Sequence, residues 1–359
     1  MSIDKGNAMS TAPGRSCPLR YRYSPAVFRR APDLGADTLY VIGGLYGNVE
    51  ALHEILAMKA KEERNGPEVR LLFNGDFNWF DIDGDSFGEI NETVLAHAAI
   101  QGNVEAELDS DEDVGCGCAY PSYVDQTTVD CSNAIIERLR ERAALEKGLV
   151  RQIGQLALHS VVEVGGERIG VIHGDPESLA GWGFAVENLH PLDRDLRWRL
   201  GCTDVDATTT EAQVHGYFSE AHVRAFACTH TCLPVMQDFS IDGRTHVVVN
   251  NGSAGMPNFR ETTAGLITRF STDPRPPDSG LYGRVLGNVR VDAIPVPYDQ
   301  AAWLRRFAAN WPKGSAACRS YGKRMVGGPE FSLAEAVRLV EQTTDRAVAV
   351  HTSRQSSRR

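Results

Sequence analysis

The sequence predicts an α/β (α+β) chain in which a mixed sheet, or two packed sheets, is flanked by helices. Three observations predict it. Strand-like apolar runs alternate with helical patterns from residue 38 to about residue 145. Two hairpin signatures, at Gly165-Gly166 and Asp242-Gly243, come later. Polar, glycine-containing segments follow the strand-like runs directly, where loops leave a rigid edge.

Residues 1–36 are rich in Ser, Pro, Arg and Gly and read as an extension, packed from Tyr21 onward. The run TLYVI at 38–42 is a strand closed by Gly43-Gly44, and 49–63 is helical with Leu52, Ile55 and Leu56 on one face. A buried strand at 69–73 ends at Asn74-Gly75-Asp76; a helix is expected at 86–98 and another at 132–145. Strands 160–164 and 168–172 form the first hairpin and run into His173-Gly174. Helices are expected at 178–189 and 219–225, and strand 226–228 enters Thr229-His230-Thr231. Strands 235–241 and 245–249 make the second hairpin, and 266–270 is one more strand. Residues 272–290 read as loop. The segment 272–359 is a C-terminal extension with helices at 299–310 and 332–342, the second opened by a Ser-Leu-Ala-Glu capping box, and a frayed basic tail from 351.

The 359 residues are 42% hydrophobic, an ordinary globular composition that allows one large core. The formal charge of −10 argues against a general nucleic-acid or membrane-surface binder. It leaves room for an anionic substrate, because a local metal cation outweighs net charge. No stretch of eighteen apolar residues is present and the N-terminus carries no apolar leader, so the expected location is cytoplasmic. Eight cysteines in a chain of this length do not make a disulfide scaffold, and the close pairs Cys116/Cys118 and Cys228/Cys232 read as reduced thiols. The acidic run 109–113 reads as a solvated loop face.

Five loops call for one explanation: Gly-Gly-Leu-Tyr-Gly-Asn-Val-Glu-Ala-Leu (43–52), Asn-Gly-Asp (74–76), Gly-Asn-Val-Glu (102–105), Val-Ile-His-Gly-Asp-Pro (171–176) and Thr-His-Thr-Cys-Leu-Pro (229–234), with Asn-Gly-Ser-Ala-Gly-Met-Pro (251–257) following. Their order and spacing over residues 38–270 resemble those of the calcineurin-like metallophosphoesterase superfamily. The resemblance implies two packed mixed sheets flanked by helices, with metals at the sheet edge, for a domain spanning 37–271. The first motif, Asp-x-His-Gly-Asn in the family, has Gly44 and Tyr46 at the two ligand positions and keeps Asn48; the third has Val104 for the His and keeps Asn103 and Glu105; the fifth keeps His230 but has Cys232 for the second His.

These departures fall on one side. The three private ligands of the family's first metal are absent, at Gly44, Tyr46 and Cys232. The four ligands of the second are present as Asp76, Asn103, His173 and His230. The resemblance therefore implies a divalent transition metal, Fe, Mn or Zn, with one ion favoured and two possible if Cys232 and Tyr46 rebuild the first site. Tyr46 either fills the space of the lost ligand or acts as a phenolate ligand or proton donor. Glu105, Tyr46, His53 or His97 would replace the missing proton-transfer group, and Asn48 and Asn251 would shape the substrate loops. Cys116 and Cys118 lie where they could reach over the site. The implied activity is hydrolysis of a small phosphorylated substrate, a mono- or diester, by a metal-activated water. The alternatives are a regulatory or binding protein that keeps the fold without hydrolysis, or a different metal-dependent reaction at a Tyr/Cys-containing site.

Overall fold

The computed structural model describes residues 12–64, 66–112 and 114–340. Two mixed sheets face each other. The six-stranded sheet has the order β11-β12-β10-β2-β3-β4. Its strands are β2 (Thr38–Ile42), β3 (Val69–Asn74), β4 (Ala98–Ile100), β10 (Gly265–Ser271), β11 (Tyr282–Leu286) and β12 (Val289–Val296). The seven-stranded sheet has the order β1-β5-β6-β7-β9-β8-β13. It is built from β1 (Leu34–Ala36), β5 (His159–Val164), β6 (Glu167–Ile172), β7 (Ala225–Cys228), β8 (Val235–Ile241), β9 (Arg244–Asn250) and β13 (Val337–Arg338). The fold class expected from the sequence is the one observed.

Alternation along the strands explains the layering. In β2, Leu39 and Val41 point into the core shared by the two sheets, with Val171, Phe226 and Phe270. Tyr40 and Ile42 point the other way, onto the helical layer. That layer contains α1 (Val49–Glu63), α2 (Gly84–Leu95) and α4 (Gln126–Ala143), which contribute Leu52, Ile90 and Ile135. All five β2 residues are buried, as a strand covered on both faces must be. The remaining helices are α3 (Asn103–Leu108), α5 (Lys147–Gly154), α6 (Arg194–Arg199), α7 (Glu211–Ala221), α8 (Gln300–Asn310), α9 (Ala316–Gly327) and α10 (Leu333–Ala336).

Several expected elements are placed differently. No helix forms over 178–189. The Asp175 carboxylate there accepts from the backbone N–H of Glu177, Ser178 and Gly183, and holds the chain in turns instead. The helix expected at 219–225 lies earlier, over Glu211–Ala221, capped by Thr210 and ended by His222 at φ 56°. Helix α4 starts six residues before 132, on the Asp125 cap, and α5, α6 and α9 were not expected. The expected loop 272–290 contains β11 and the first residues of β12, and β12 pairs antiparallel with β10, so the sheet continues past residue 271. The helix expected at 332–342 is one turn, followed by β13 alongside β8. The tail from 351 lies outside the described residues. The N-terminal segment is packed over the stretch from Tyr21, as read from the sequence: Tyr21 and Phe28 are buried, and β1 pairs with β5. Asp109, Asp111 and Glu112 are exposed, as expected for a solvated face, and Asp113 lies outside the described residues. Among the described residues, no helix is long and apolar enough to cross a membrane.

Candidate metal centre

Four polar side chains follow the C-terminal ends of four strands. Asp76 comes after β3, Asn103 opens α3 after β4, His173 follows β6 and His230 follows β7. Two therefore come from each sheet, and they meet where the sheet edges meet. His173 Nε2 lies 3.3 Å from Asp76 Oδ1, 3.2 Å from Asn103 Oδ1 and 3.2 Å from His230 Nδ1. The ligand atoms of Asp76, His173 and His230 all lie within 4.8 Å of one another.

The far side of each ring and amide fixes what faces inward. His173 Nδ1 meets Asn74 O at 2.9 Å, and His230 Nε2 meets Cys118 O at 3.1 Å. A carbonyl can only accept, so those nitrogens carry protons, and in the neutral rings His173 Nε2 and His230 Nδ1 present lone pairs. Asn103 Nδ2 donates to Cys116 O at 2.9 Å, which turns Oδ1 inward. Four polar atoms thus point at one another and call for one positive charge among them, supplied by a proton on His173, which the neighbouring Asp76 raises above its usual range despite burial, or by a metal ion at the centre. Adjacent ligands at about 2.1 Å from an ion stand roughly 3.0–3.4 Å apart, which the 3.2–3.3 Å separations match. The donor set fits a divalent transition metal, and the carbonyls behind it are the outer partners that orient such ligands. Burial works against the Asp76 charge, but the adjacent His173 outweighs it and holds the carboxyl below its usual range. Burial, then His173, pushes His230 down to about 3.

The turns that carry these groups are conformationally demanding. Asp76 has φ 55°, and Tyr46 and Cys232 have φ 56° and 62°, left-handed values rare for residues with a Cβ. Gly102 permits the close approach of α3, because a Cβ there would lie 2.3 Å from Asp76 Oδ1. Glu105 holds the Asp76 turn: its Oε2 accepts from the N–H of Asp76 (2.7 Å) and Gly102 (3.0 Å), and its Oε1 from Phe77 (3.0 Å) and Asn78 (3.3 Å). Glu105, for which the sequence suggested a catalytic role, is placed as a clamp on this turn. It is fully buried and both oxygens are engaged by backbone. Burial and the Asp76 charge raise its carboxyl to about 7 against the pull of those N–H groups.

The family's first-metal positions are filled differently. The Tyr46 hydroxyl lies 2.8 Å from Cys232 Sγ, so each satisfies the other. A Cβ on Gly44 would lie 2.9 Å from the Tyr46 ring, which occupies the space an aspartate would need. The ring packs on Phe80 at 5.9 Å. Burial raises both the Tyr46 phenol and the Cys232 thiol, favouring the protonated forms over phenolate and thiolate. Cys232 does not join the donor cluster. Arg324 of α9 donates to Cys232 O at 2.8 Å and ties the C-terminal helices to this loop.

Asn48 and Asn251 are loop ties. Asn48 caps α1 through Ala51 N and donates to Gly255 O at 2.9 Å. Asn251 donates to Gly43 O and Leu266 O. His53 pairs with Glu89 at the α1–α2 surface and His97 lies beside Phe73 at the end of α2, so neither takes the proton-transfer place expected for it. Cys116 and Cys118, read as reduced thiols, form a disulfide. Sequence reasoning missed what this segment supplies, which is backbone carbonyl rather than side chain. It also missed Trp182, which donates to Cys118 O at 3.0 Å and sets its ring against His230. The Gly-Cys-Gly-Cys repeat was the one available signal.

No family model and no curated protein matches the sequence. Among solved structures, the chain is similar to the hypothetical protein PH1004 from Pyrococcus horikoshii OT3, with 14% identity and a TM-score of 0.50 over 82% of this chain and 99% of that one. A metallophosphoesterase from Sphaerobacter thermophilus aligns with 15% identity and a TM-score of 0.46 over 82% of this chain and 100% of that one. The two mixed sheets, with the donor loops gathered at their common edge, decide the architecture. The chain has the calcineurin-like fold. At these identities the likeness reaches the fold and stops there; what this calcineurin-like edge does rests on its own residues.

Proposed function

We propose that this protein is a metal-dependent hydrolase of small phosphate esters, working in the cytoplasm with one ion held by Asp76, Asn103, His173 and His230. The observation that carries the reading is the set of four inward polar atoms, three of them turned inward by carbonyls behind them. A divalent metal bound there lowers the pKa of a water ligand and polarises a phosphoryl oxygen. The chain's part is to hold and orient. His173 and His230 keep single tautomers through Asn74 O and Cys118 O, and Glu105 fixes the Asp76 turn. Val104 cannot move a proton, so the general-acid role falls to Tyr46, whose hydroxyl stays protonated at this edge.

One observation favours a second reading. Asn103 and His173 are 1% and 0% exposed, and Asp76 and His230 6% each. Closed sites hold structural metals, whereas catalytic ones keep a position open. In this reading the ion stabilises a binding protein. Metal counting together with turnover of bis(p-nitrophenyl) phosphate and p-nitrophenyl phosphate separates the two. One ion with metal-dependent turnover supports the hydrolase; one ion and no turnover supports the binding protein; no bound ion removes both.

A further inference from the structure

The seven-stranded sheet has a second polar end. β6, β7 and β9 run parallel, and the residues after β6 and β7 are His173 and His230. At the opposite ends of these strands lies a cavity of about 300 Å³ lined by Glu167, Arg168, His222, Arg224, Arg244 and His246. Six residues of β6 at about 3.3 Å each put roughly 20 Å between the cavity and the metal centre.

The cavity's charges do not balance among its lining residues. Three arginines and one carboxylate line it. Glu167 is 3.4 Å from Arg244 Nη2 and 3.7 Å from Arg224 Nε, both long for ion pairs. Arg168 is held by backbone, donating to His222 O at 3.2 Å and to Phe28 O and Arg30 O at 2.6 and 2.8 Å. Arg224 is 8% exposed, and its Nε and Nη1 are buried without a hydrogen-bond partner. An arginine keeps its charge in such surroundings, and guanidinium nitrogens that are cut off from water need oxygen acceptors. A surplus of two positive charges beside unpartnered N–H donors suits a dianion with several oxygens, which a planar guanidinium grips best.

We propose that this cavity binds a phosphate group, free or carried on a small metabolite, with Arg224 as the buried anchor and Arg244 closing over it from the more exposed side. The site is separate from the metal centre and does not depend on the hydrolase reading. Titration calorimetry of the full chain with inorganic phosphate, with glycerol 3-phosphate and with acetate tests it, each run with and without chelator. The expected result is saturable phosphate binding at one site per chain that survives chelation, with acetate much weaker. Tighter binding of glycerol 3-phosphate identifies a phosphorylated metabolite as the ligand; equal or weaker binding identifies the free ion. Arg224→Gln and Arg244→Gln should each weaken binding about tenfold or more, while His173→Ala leaves it within about twofold. Arg244, 63% exposed at its side chain, serves as the deciding variant if Arg224→Gln fails to fold. Absence of saturable binding up to about 10 mM overturns the proposal. So does binding that persists in Arg244→Gln and disappears in His173→Ala.

Discussion

Two halves of one sheet edge have met the same problem, burying polar groups, in opposite ways. On one half, Asp76, Asn103, His173 and His230 turn their inner polar atoms toward each other, while His173, Asn103 and His230 donate outward to the Asn74, Cys116 and Cys118 carbonyls. That half is complete only with a positive charge among them. On the other half, Tyr46 and Cys232 pair with each other and the Tyr46 ring fills the space above Gly44. That half is complete as it stands. The contrast teaches that loss of ligands here was accompanied by replacement, so the half-site is satisfied rather than eroded.

The largest expected effect breaks the metal-seeking half. His173→Ala removes the donor nearest to all three others and should lower metal affinity more than about 100-fold, since outer-partner changes alone cost 10–100-fold. Val104→Ala, on the same rim, should keep the ion. Equal metal loss from both, read by plasma spectrometry, would mean that folding rather than ligation was lost.

Next comes a test of the self-satisfied half. Cys232→Ala should leave the metal count at about one per chain, and release of an ion would show that Cys232 ligates a second one. The triple change Gly44→Asp, Tyr46→His and Cys232→His should raise the count to about two. Gly44→Asp alone should only destabilise, because Gly44 has φ 64° and a Cβ there meets the Tyr46 ring; the left-handed conformation adds roughly 1–2 kcal/mol.

A smaller effect is expected from the clamp beneath the metal-seeking half. Glu105→Gln keeps one acceptor oxygen and sets an NH2 against backbone N–H groups. Stability measured by urea unfolding should fall by about 2–3 kcal/mol. Unchanged stability would mean that the Asp76 turn stands without the clamp.

The edge was legible because apolar runs such as 38–42 and 69–73 can only be buried strands, and each donor follows one of them. The helix at 178–189 was misread because local periodicity does not reveal that Asp175 binds three backbone N–H groups in that segment. β11 and β12 were obscured by Arg284, Arg290 and Asp292, whose charges are matched by protein partners rather than by water, as Arg290 to Asp292 two residues along the same strand at 2.8 Å. The role of 115–118 was illegible in principle, since any residue can offer a carbonyl. Glu105 stood in the right motif, but its direction was set by backbone that sequence does not display.

The smallest expected effect concerns a second buried carboxylate, on the self-satisfied half. Asp81 follows Phe80, the ring against Tyr46. Where Glu105 accepts from four backbone N–H groups, Asp81 has the Ser86 hydroxyl on Oδ1 and no partner on Oδ2. Burial raises its carboxyl from 3.8 to about 8, against the Ser86 bond that lowers it. The sign follows from linkage: between those values the folded chain keeps a proton that the unfolded chain releases, so stability falls as pH rises through the window and is restored as pH drops to about 4. Asp81→Asn removes the titration and can still accept from Ser86. The variant should match the wild type near pH 4 and exceed it at pH 8 by about 1 kcal/mol or more. Parallel loss of stability with pH in both proteins would place the slope elsewhere. It would also mean that Asp81 is ionised and paired, making the two buried carboxylates alike and removing this part of the contrast between the halves.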